Sequence, residues 1–238
     1  MIKIDDLTVK FGGVTALNHV TVALDAAVVG IIGPNGAGKT TFLNVLSGLV
    51  RPLQGTITAF GTSITPLLPH QRAQWGLRRS FQKEQVVDDL TVEDNVRVVL
   101  DPLRLSRAET EQAVSAALDY TGILGLRSVR AESLNAFERR MVELARCVTG
   151  KPRLLLLDEP GAGFAQNEVA KLRDVITGIA DHTGAMTLLI DHDVDLIQAT
   201  CTKTMVLDFG ALVMYGETAA VLKDDRVRAV YLGVEDAA

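Results

Sequence analysis

Gly33-Pro34-Asn35-Gly36-Ala37-Gly38-Lys39-Thr40-Thr41 follows an apolar run, Val28 to Ile32, and leads into Phe42-Leu43-Asn44-Val45-Leu46. Strand, glycine turn and helix in that order are the setting in which a G-x-x-x-x-G-K-[ST] match binds phosphate. Glycines let main-chain N–H groups converge on phosphate oxygens with no Cβ in the way, and a helix opening near Gly38 adds the positive end of its dipole. Gly33 through Thr41 are therefore a candidate phosphate cradle. Lys39 would lie against the outer phosphates, and the Thr40 hydroxyl would ligate Mg²⁺. The competing reading, a glycine-rich turn with a surface lysine, leaves the flanking strand and helix unexplained.

The chain has 238 residues, 47% of them hydrophobic, enough for a real core in one large or two small domains. A formal charge of −5 argues against a nucleic-acid partner, whose usual footprint is a broad cationic face. Cys147 and Cys201 lie far apart with no zinc or redox spacing, and read as buried thiols in a reducing compartment. The start, Met1-Ile2-Lys3-Ile4-Asp5-Asp6, lacks a signal-peptide core, and no apolar stretch approaches the roughly 18 residues of a membrane span. A membrane role is expected to run through a partner.

Outward from the glycine loop, Ile2 to Val9 and Val20 to Leu24 alternate like strands, with a turn at Phe11-Gly12-Gly13. Phe11 has two readings: it stacks on a base, or it packs under the turn. The helix from Lys39 ends about Gly48. Gly55 to Gly61 reads as a strand, Pro69 to Gly76 as a short helical link, and Leu77 to Gln82 as a buried strand ending in an amide. From Thr91 to about Gly122 the pattern is helical, with capping signatures at Thr91 and Ser106, and another helix runs from Asn135 to about Thr149. This all-helical stretch interrupts a strand-and-helix chain, so it is expected to be an inserted subdomain.

Arg153-Leu154-Leu155-Leu156-Leu157-Asp158-Glu159-Pro160 is a central strand that delivers two acids at its C-terminal end. Such acids are costly unless they meet a metal or a partner. A helix from about Gln166 to Ala180, a strand Met186 to Ile190, the polar turn Asp191-His192-Asp193 and a helix Val194 to Thr200 follow. Strands Thr204 to Asp208 and Ala211 to Tyr215 flank Phe209-Gly210, and a charged helical tail closes the chain.

The glycine loop with Lys39, the Leu-Leu-Leu-Leu-Asp-Glu-Pro strand, Gln82 and His192 together resemble the ATPase subunit of ABC transporters, from about Ile2 to Gly233. The fold implied is α/β, a P-loop NTPase (RecA-like) core with an N-terminal antiparallel β-subdomain and an inserted α-helical subdomain. It forms a single domain over 1–238, with its core at about 1–84 and 150–216, the helical part at about 85–149 and a tail at about 217–238. The resemblance implies ATP and Mg²⁺, with Asp158 holding the metal and Glu159 as general base for the attacking water. It makes Gln82 the sensor of metal and γ-phosphate, and His192 the γ-phosphate contact. Phe11-Gly12-Gly13-Val14-Thr15-Ala16-Leu17, Ile190-Asp191-His192-Asp193-Val194 and Val206-Leu207-Asp208-Phe209-Gly210 are most similar to the branched-chain amino-acid uptake group. That implies integral membrane permease subunits, an indirect solute-binding protein, and a peripheral position on the cytoplasmic side of the cell membrane. Arg78, Arg79 and Lys83 beside Gln82 would dock a permease helix, or are ordinary solvated charges.

The sequence departs from the family where the signature, usually Leu-Ser-Gly-Gly-Gln, would stand: here it reads Leu134-Asn135-Ala136-Phe137-Glu138. In the family this loop approaches the opposite subunit's nucleotide. Phe137 would block bare backbone from reaching phosphate, and Glu138 adds negative charge. Ala165 stands where a dimer-contacting Asp or Asn is expected. The expectation is an asymmetric heterodimer with a second ATPase subunit. The alternatives are a weakly or non-hydrolysing ATP-binding regulatory subunit and a non-transport ABC ATPase.

Overall fold

The computed structural model describes residues 1–232; the tail residues 233–238 predicted above lie outside them. The chain divides into two compact units, one made of Met1–Arg72 and the chain from Thr187 onward, the other of Ala73–Met186.

In the first unit, β1 (Ile2–Phe11) and β2 (Val14–Leu24) form a hairpin across Gly12-Gly13. With β4 (Gln54–Ala59) and β5 (Thr62–Ser63) they make an antiparallel sheet in the order β2-β1-β4-β5. Ile2, Ile4, Leu7 and Val9 of β1 and Leu17, Val20 and Leu24 of β2 are buried, as expected of a sheet with one covered face. The unit's second sheet centres on β3 (Val28–Ile32), whose five residues are all buried. β3 lies parallel to β8 (Met186–Ile190) on one side and to β9 (Lys203–Asp208) on the other. β10 (Ala211–Glu217) pairs antiparallel with β9. A strand flanked by parallel neighbours has no solvent face, so its sequence is apolar without alternation.

Helix α1 (Lys39–Ser47) follows β3 and ends at Gly48 in a left-handed conformation. Its last carbonyls meet a buried guanidinium. Arg72, on α2 (Pro69–Trp75) and 2% exposed, donates to Val45 O (2.5 Å), Leu46 O (2.7 Å), Leu67 O (3.0 Å) and Thr65 O (3.1 Å). Burial lowers its pKa, yet the cation suits the negative end of the α1 dipole. Arg72→Ala removes the guanidinium from all four carbonyls, of which Val45 O keeps the Gly48 N–H, and is expected to cost about 3 kcal/mol. That corresponds to a fall in Tm of roughly 6–12 °C for a chain of this length, measurable by calorimetry, and Arg72→Lys should restore only part of it.

The second unit pairs β6 (Leu77–Arg79) with β7 (Leu154–Asp158), parallel and in register Leu77 to Leu154. β6 is shorter than the strand read from Leu77 to Gln82, because after Ser80 the chain turns its polar groups to other partners. The helical stretch is also broken. α3 (Val92–Arg97) runs into 3₁₀ turns over Val98–Leu103, which hold Pro102 and stop at Arg104 in a left-handed conformation. α4 (Arg107–Tyr120) then starts from the Ser106 capping box. α5 (Ala136–Val148) and α6 (Gln166–Thr183) contribute Met141, Val142, Leu144, Leu172, Ile176 and Ile179 to the core. Tyr120 donates to Val175 O (2.5 Å) and stacks on His182 with ring centroids 4.0 Å apart. In the first unit, α7 (Val194–Thr200) follows β8, and α8 (Thr218–Val221) and α9 (Asp225–Leu232) follow β10. Both cysteines are buried, and burial pushes each thiol up to about 12, so they stay protonated and unreactive at neutral pH.

Candidate active site

The residues singled out by the sequence fall into two groups, one carried by each unit.

In the first unit the phosphate loop begins where β3 ends. Ile31 is level with Ile190 of β8 and Ile32 with Val206 of β9, so Gly33, the Asp191-His192 turn and the Phe209-Gly210 turn all leave the same carboxyl edge. In open α/β sheets that edge is where ligands bind. Two positions tolerate only glycine. At Gly33 (φ 150°) a Cβ would stand 2.1 Å from Leu207 O, and at Gly38 (φ 99°), the residue before α1, it would stand 2.5 Å from Ala16 O. β2 and β9 thus press the loop into shape. The Gly210 N–H donates to Ala37 O (3.0 Å), and the Asn18 N–H donates to Gly210 O (2.8 Å), which ties the loop to the hairpin beside it.

Lys39 is buried, with Nζ donating to Gly33 O (2.7 Å) and Pro34 O (3.0 Å). Its ammonium therefore lies over the loop's own carbonyls, a cation held where an anion is expected. Asn35, Gly36 and Thr40 are exposed, Thr41 is half-buried, and the Thr40 hydroxyl opens α1 in reach of solvent. His192 is exposed in a turn fixed by Asp193 N–H donating to buried Asp191 Oδ1 (3.0 Å), while Asp193 caps α7. Phe11 stands half-exposed, at 51%, at the end of β1.

In the second unit β7 carries Asp158 to its carboxyl end, 2% exposed, where Arg79 Nη2 lies 3.2 Å from Asp158 Oδ2. Burial lowers the Arg79 pKa, and the Asp158 carboxylate opposes that shift. Ser80 Oγ accepts from the Asp158 N–H (3.2 Å), and the Ser80 N–H donates to Leu156 O (2.9 Å). Arg79 is thus turned inward against the acid, and Arg78 donates to Ala73 O (2.7 Å) and Leu77 O (3.1 Å). Arg78 and Arg79 are therefore not the ordinary solvated charges of the alternative reading, and only Lys83 of the three is exposed.

Glu159 sits at φ 50°, a conformation that costs a residue with a Cβ about 1–3 kcal/mol and gathers at functional sites. Gln82 Nε2 donates to Glu159 Oε2 at 3.0 Å, so the structure brings the predicted amide onto the predicted base. Asn135 and Glu138 form a reciprocal capping box at the start of α5, Asn135 Oδ1 accepting from Glu138 N–H (2.9 Å) and Glu138 Oε2 from Asn135 N–H (3.0 Å). A carboxylate thus already occupies this helix start. Phe137 meets Phe164, the residue before Ala165, edge to face with centroids 5.5 Å apart. Arg79 and Ser80 escaped the sequence reading because their partner lies 79 and 78 residues away. Each unit offers a hard oxygen, the Thr40 hydroxyl in the first and the Asp158 carboxylate in the second, of the kind that Mg²⁺ takes beside phosphate.

A phosphate loop between a buried parallel strand and a helix defines a P-loop NTPase core. Residues 17–162 match the ABC transporter family, and the chain belongs to that family as the ATPase subunit of a transporter. It is 32% identical to the high-affinity branched-chain amino acid transport ATP-binding protein LivG of Salmonella typhimurium, over 98% of each chain. It is 37% identical to the lipopolysaccharide export system ATP-binding protein LptB of Acidithiobacillus ferridurans, over 87% of this chain and 85% of that one. Among solved structures, the ADP conformation of MJ1267, an ATP-binding cassette of an ABC transporter, superposes with a TM-score of 0.84 at 25% identity, covering 98% of this chain and 99% of that one. Among the described residues no helix is long and apolar enough to cross a membrane.

Proposed function

We propose that this chain powers uptake of branched-chain amino acids, docked on membrane permease subunits at the cytoplasmic face and closing on ATP together with a second, different ATPase subunit. A solute-binding protein would act on the far side of the permeases. The observation that carries the substrate class is the likeness to LivG, which runs over 98% of both chains, against 87% of this chain for LptB.

In this reading the loop from Gly33 to Thr41 and the Lys39 ammonium grip the ATP phosphates, and Phe11 stacks on the adenine. The Thr40 hydroxyl, the Asp158 carboxylate and the Gln82 amide would hold Mg²⁺, and Arg79 aims the Asp158 carboxylate. The ion supplies neutralisation of the phosphate charge. Glu159 takes the proton of the attacking water, and His192 contacts the γ-phosphate. Phe137 and the Glu138 cap support an unequal pair, because bare backbone cannot approach a phosphate past an aromatic ring and a carboxylate. The partner's signature then completes this chain's pocket, while the pocket facing Asn135 to Glu138 binds ATP and turns it over slowly. A weakly hydrolysing regulatory subunit is the second reading, favoured by the same Phe137.

Untagged co-purification with the membrane components tests the assignment. Recovery of one further, non-identical ATPase and permease chains, with transport of leucine, isoleucine or valine, is the expected result. Purified chain that alone hydrolyses ATP at a transporter-like rate with cooperative dimer kinetics overturns the asymmetry, and a lipopolysaccharide-bound assembly overturns the substrate.

A further inference from the structure

Helix α5 buries two charged side chains. Arg140 and Glu143, 3% and 2% exposed, pair with each other one turn into the helix. The Coulombic gain of a buried ion pair often fails to offset the cost of desolvating it, so its position calls for a further partner. That partner is the backbone on either side of Gln82. Arg140 Nη1 donates to Phe81 O (2.9 Å), Arg140 Nη2 donates to Gln82 O (3.1 Å), and Glu143 Oε1 accepts from the Phe81 N–H (3.1 Å). Three main-chain groups of a segment that has already left β6 end on one ion pair. The side chain carried by that segment donates to Glu159 at 3.0 Å. Burial raises the Glu143 pKa, and Arg140 together with the Phe81 N–H opposes the rise.

We propose that Arg140 and Glu143 are positioning residues that fix where the Gln82 amide meets Glu159, making turnover at Glu159 depend on the seating of helix α5. The inference rests on Glu159 being the general base. It joins α5, which begins at Asn135 to Glu138, to the reacting end of the same unit through a rigid clamp. A load applied to the cap of α5 therefore reaches Gln82 without passing through a flexible loop.

The test uses the assembled transporter and reads both kinetics and hydrogen exchange. Truncating one partner strands a buried charge, so the main variant is the paired exchange Arg140→Met with Glu143→Leu, which removes the clamp without doing so. Expected are a kcat lower by about 10²-fold, the cost of a misplacement near 1 Å. KM for ATP should stay within about threefold, Tm should be retained, and exchange protection should be lost at the Phe81 amide. Glu143→Gln leaves Arg140 without its counter-ion and should lower Tm, yet it keeps an acceptor for that amide and should retain protection and much of kcat, where Glu143→Ala retains neither. Wild-type kcat in the paired variant overturns the inference, as does equal kcat in Glu143→Gln and Glu143→Ala. A joint collapse of kcat, ATP affinity and Tm shows a merely structural pair and overturns it too. Glu159→Gln is run alongside: full turnover there would sink the base assignment itself, while the Phe81 exchange still reports on the clamp.

Discussion

Replacing Glu159 by Gln is expected to lower ATP turnover by roughly 10²–10⁴-fold, the usual contribution of a positioned proton acceptor, with ATP still bound. The exchange is close to isosteric. The Gln82 amide, 3.0 Å away, can still donate to the oxygen that remains, so the local geometry survives while the basicity does not. The assembled complex should trap ATP, seen as nucleotide retained through gel filtration. Glu159→Gly adds a second measurement. The residue sits at φ 50°, which glycine adopts freely, so this variant should be just as inactive yet gain about 1 kcal/mol of stability. Unchanged turnover in Glu159→Gln would instead assign this chain the regulatory role and leave catalysis to its partner.

Lys39→Ala should weaken ATP binding by about 2–5 kcal/mol, roughly 30- to 5,000-fold, the range for truncating one side of a buried charged contact. The lysine is 7% exposed and already bent over Gly33 O and Pro34 O, so the loop is charged before any ligand arrives and little reorganisation is needed on binding. Alanine removes that charge and the ammonium donor to Gly33 O, while Pro34 O keeps the Ala37 N–H (3.1 Å). Arginine is no substitute, because a planar fork does not fit where one ammonium meets two carbonyls. Titration calorimetry with a slowly hydrolysed ATP analogue measures the change; affinity within threefold of wild type would show that the phosphates bind elsewhere.

Much of this was legible locally. The glycine loop needs only its own spacing and its neighbours, and the apolar runs Val28 to Ile32 and Leu154 to Leu157 announce strands without a solvent face. The caps at Thr91, Ser106 and Asn135 were readable because each is closed by a residue three positions on. What stayed hidden depends on pairings across distant sequence. Arg79 looked like a surface charge until the fold set it against Asp158, and nothing local announced that Phe137 would pack against Phe164. The end of β6 was misread for the same reason: whether Ser80 continues a strand is decided by Leu156 and Asp158, 76 and 78 residues further on. The break at Pro102 carried a local signal, the proline itself, which the helical periodicity around it outweighed.

The brace between Gly210, Ala37 and Asn18 bears on how the protein is made. A nascent polypeptide leaves the ribosome with its glycine turn and first hairpin long before the β9–β10 corner that secures them. A non-local closure of this kind comes late because the intervening chain must be ordered first. The brace therefore forms only once the β9–β10 corner has been made, so a fragment that stops short of Gly210 carries the whole motif without the contacts that hold the loop in shape.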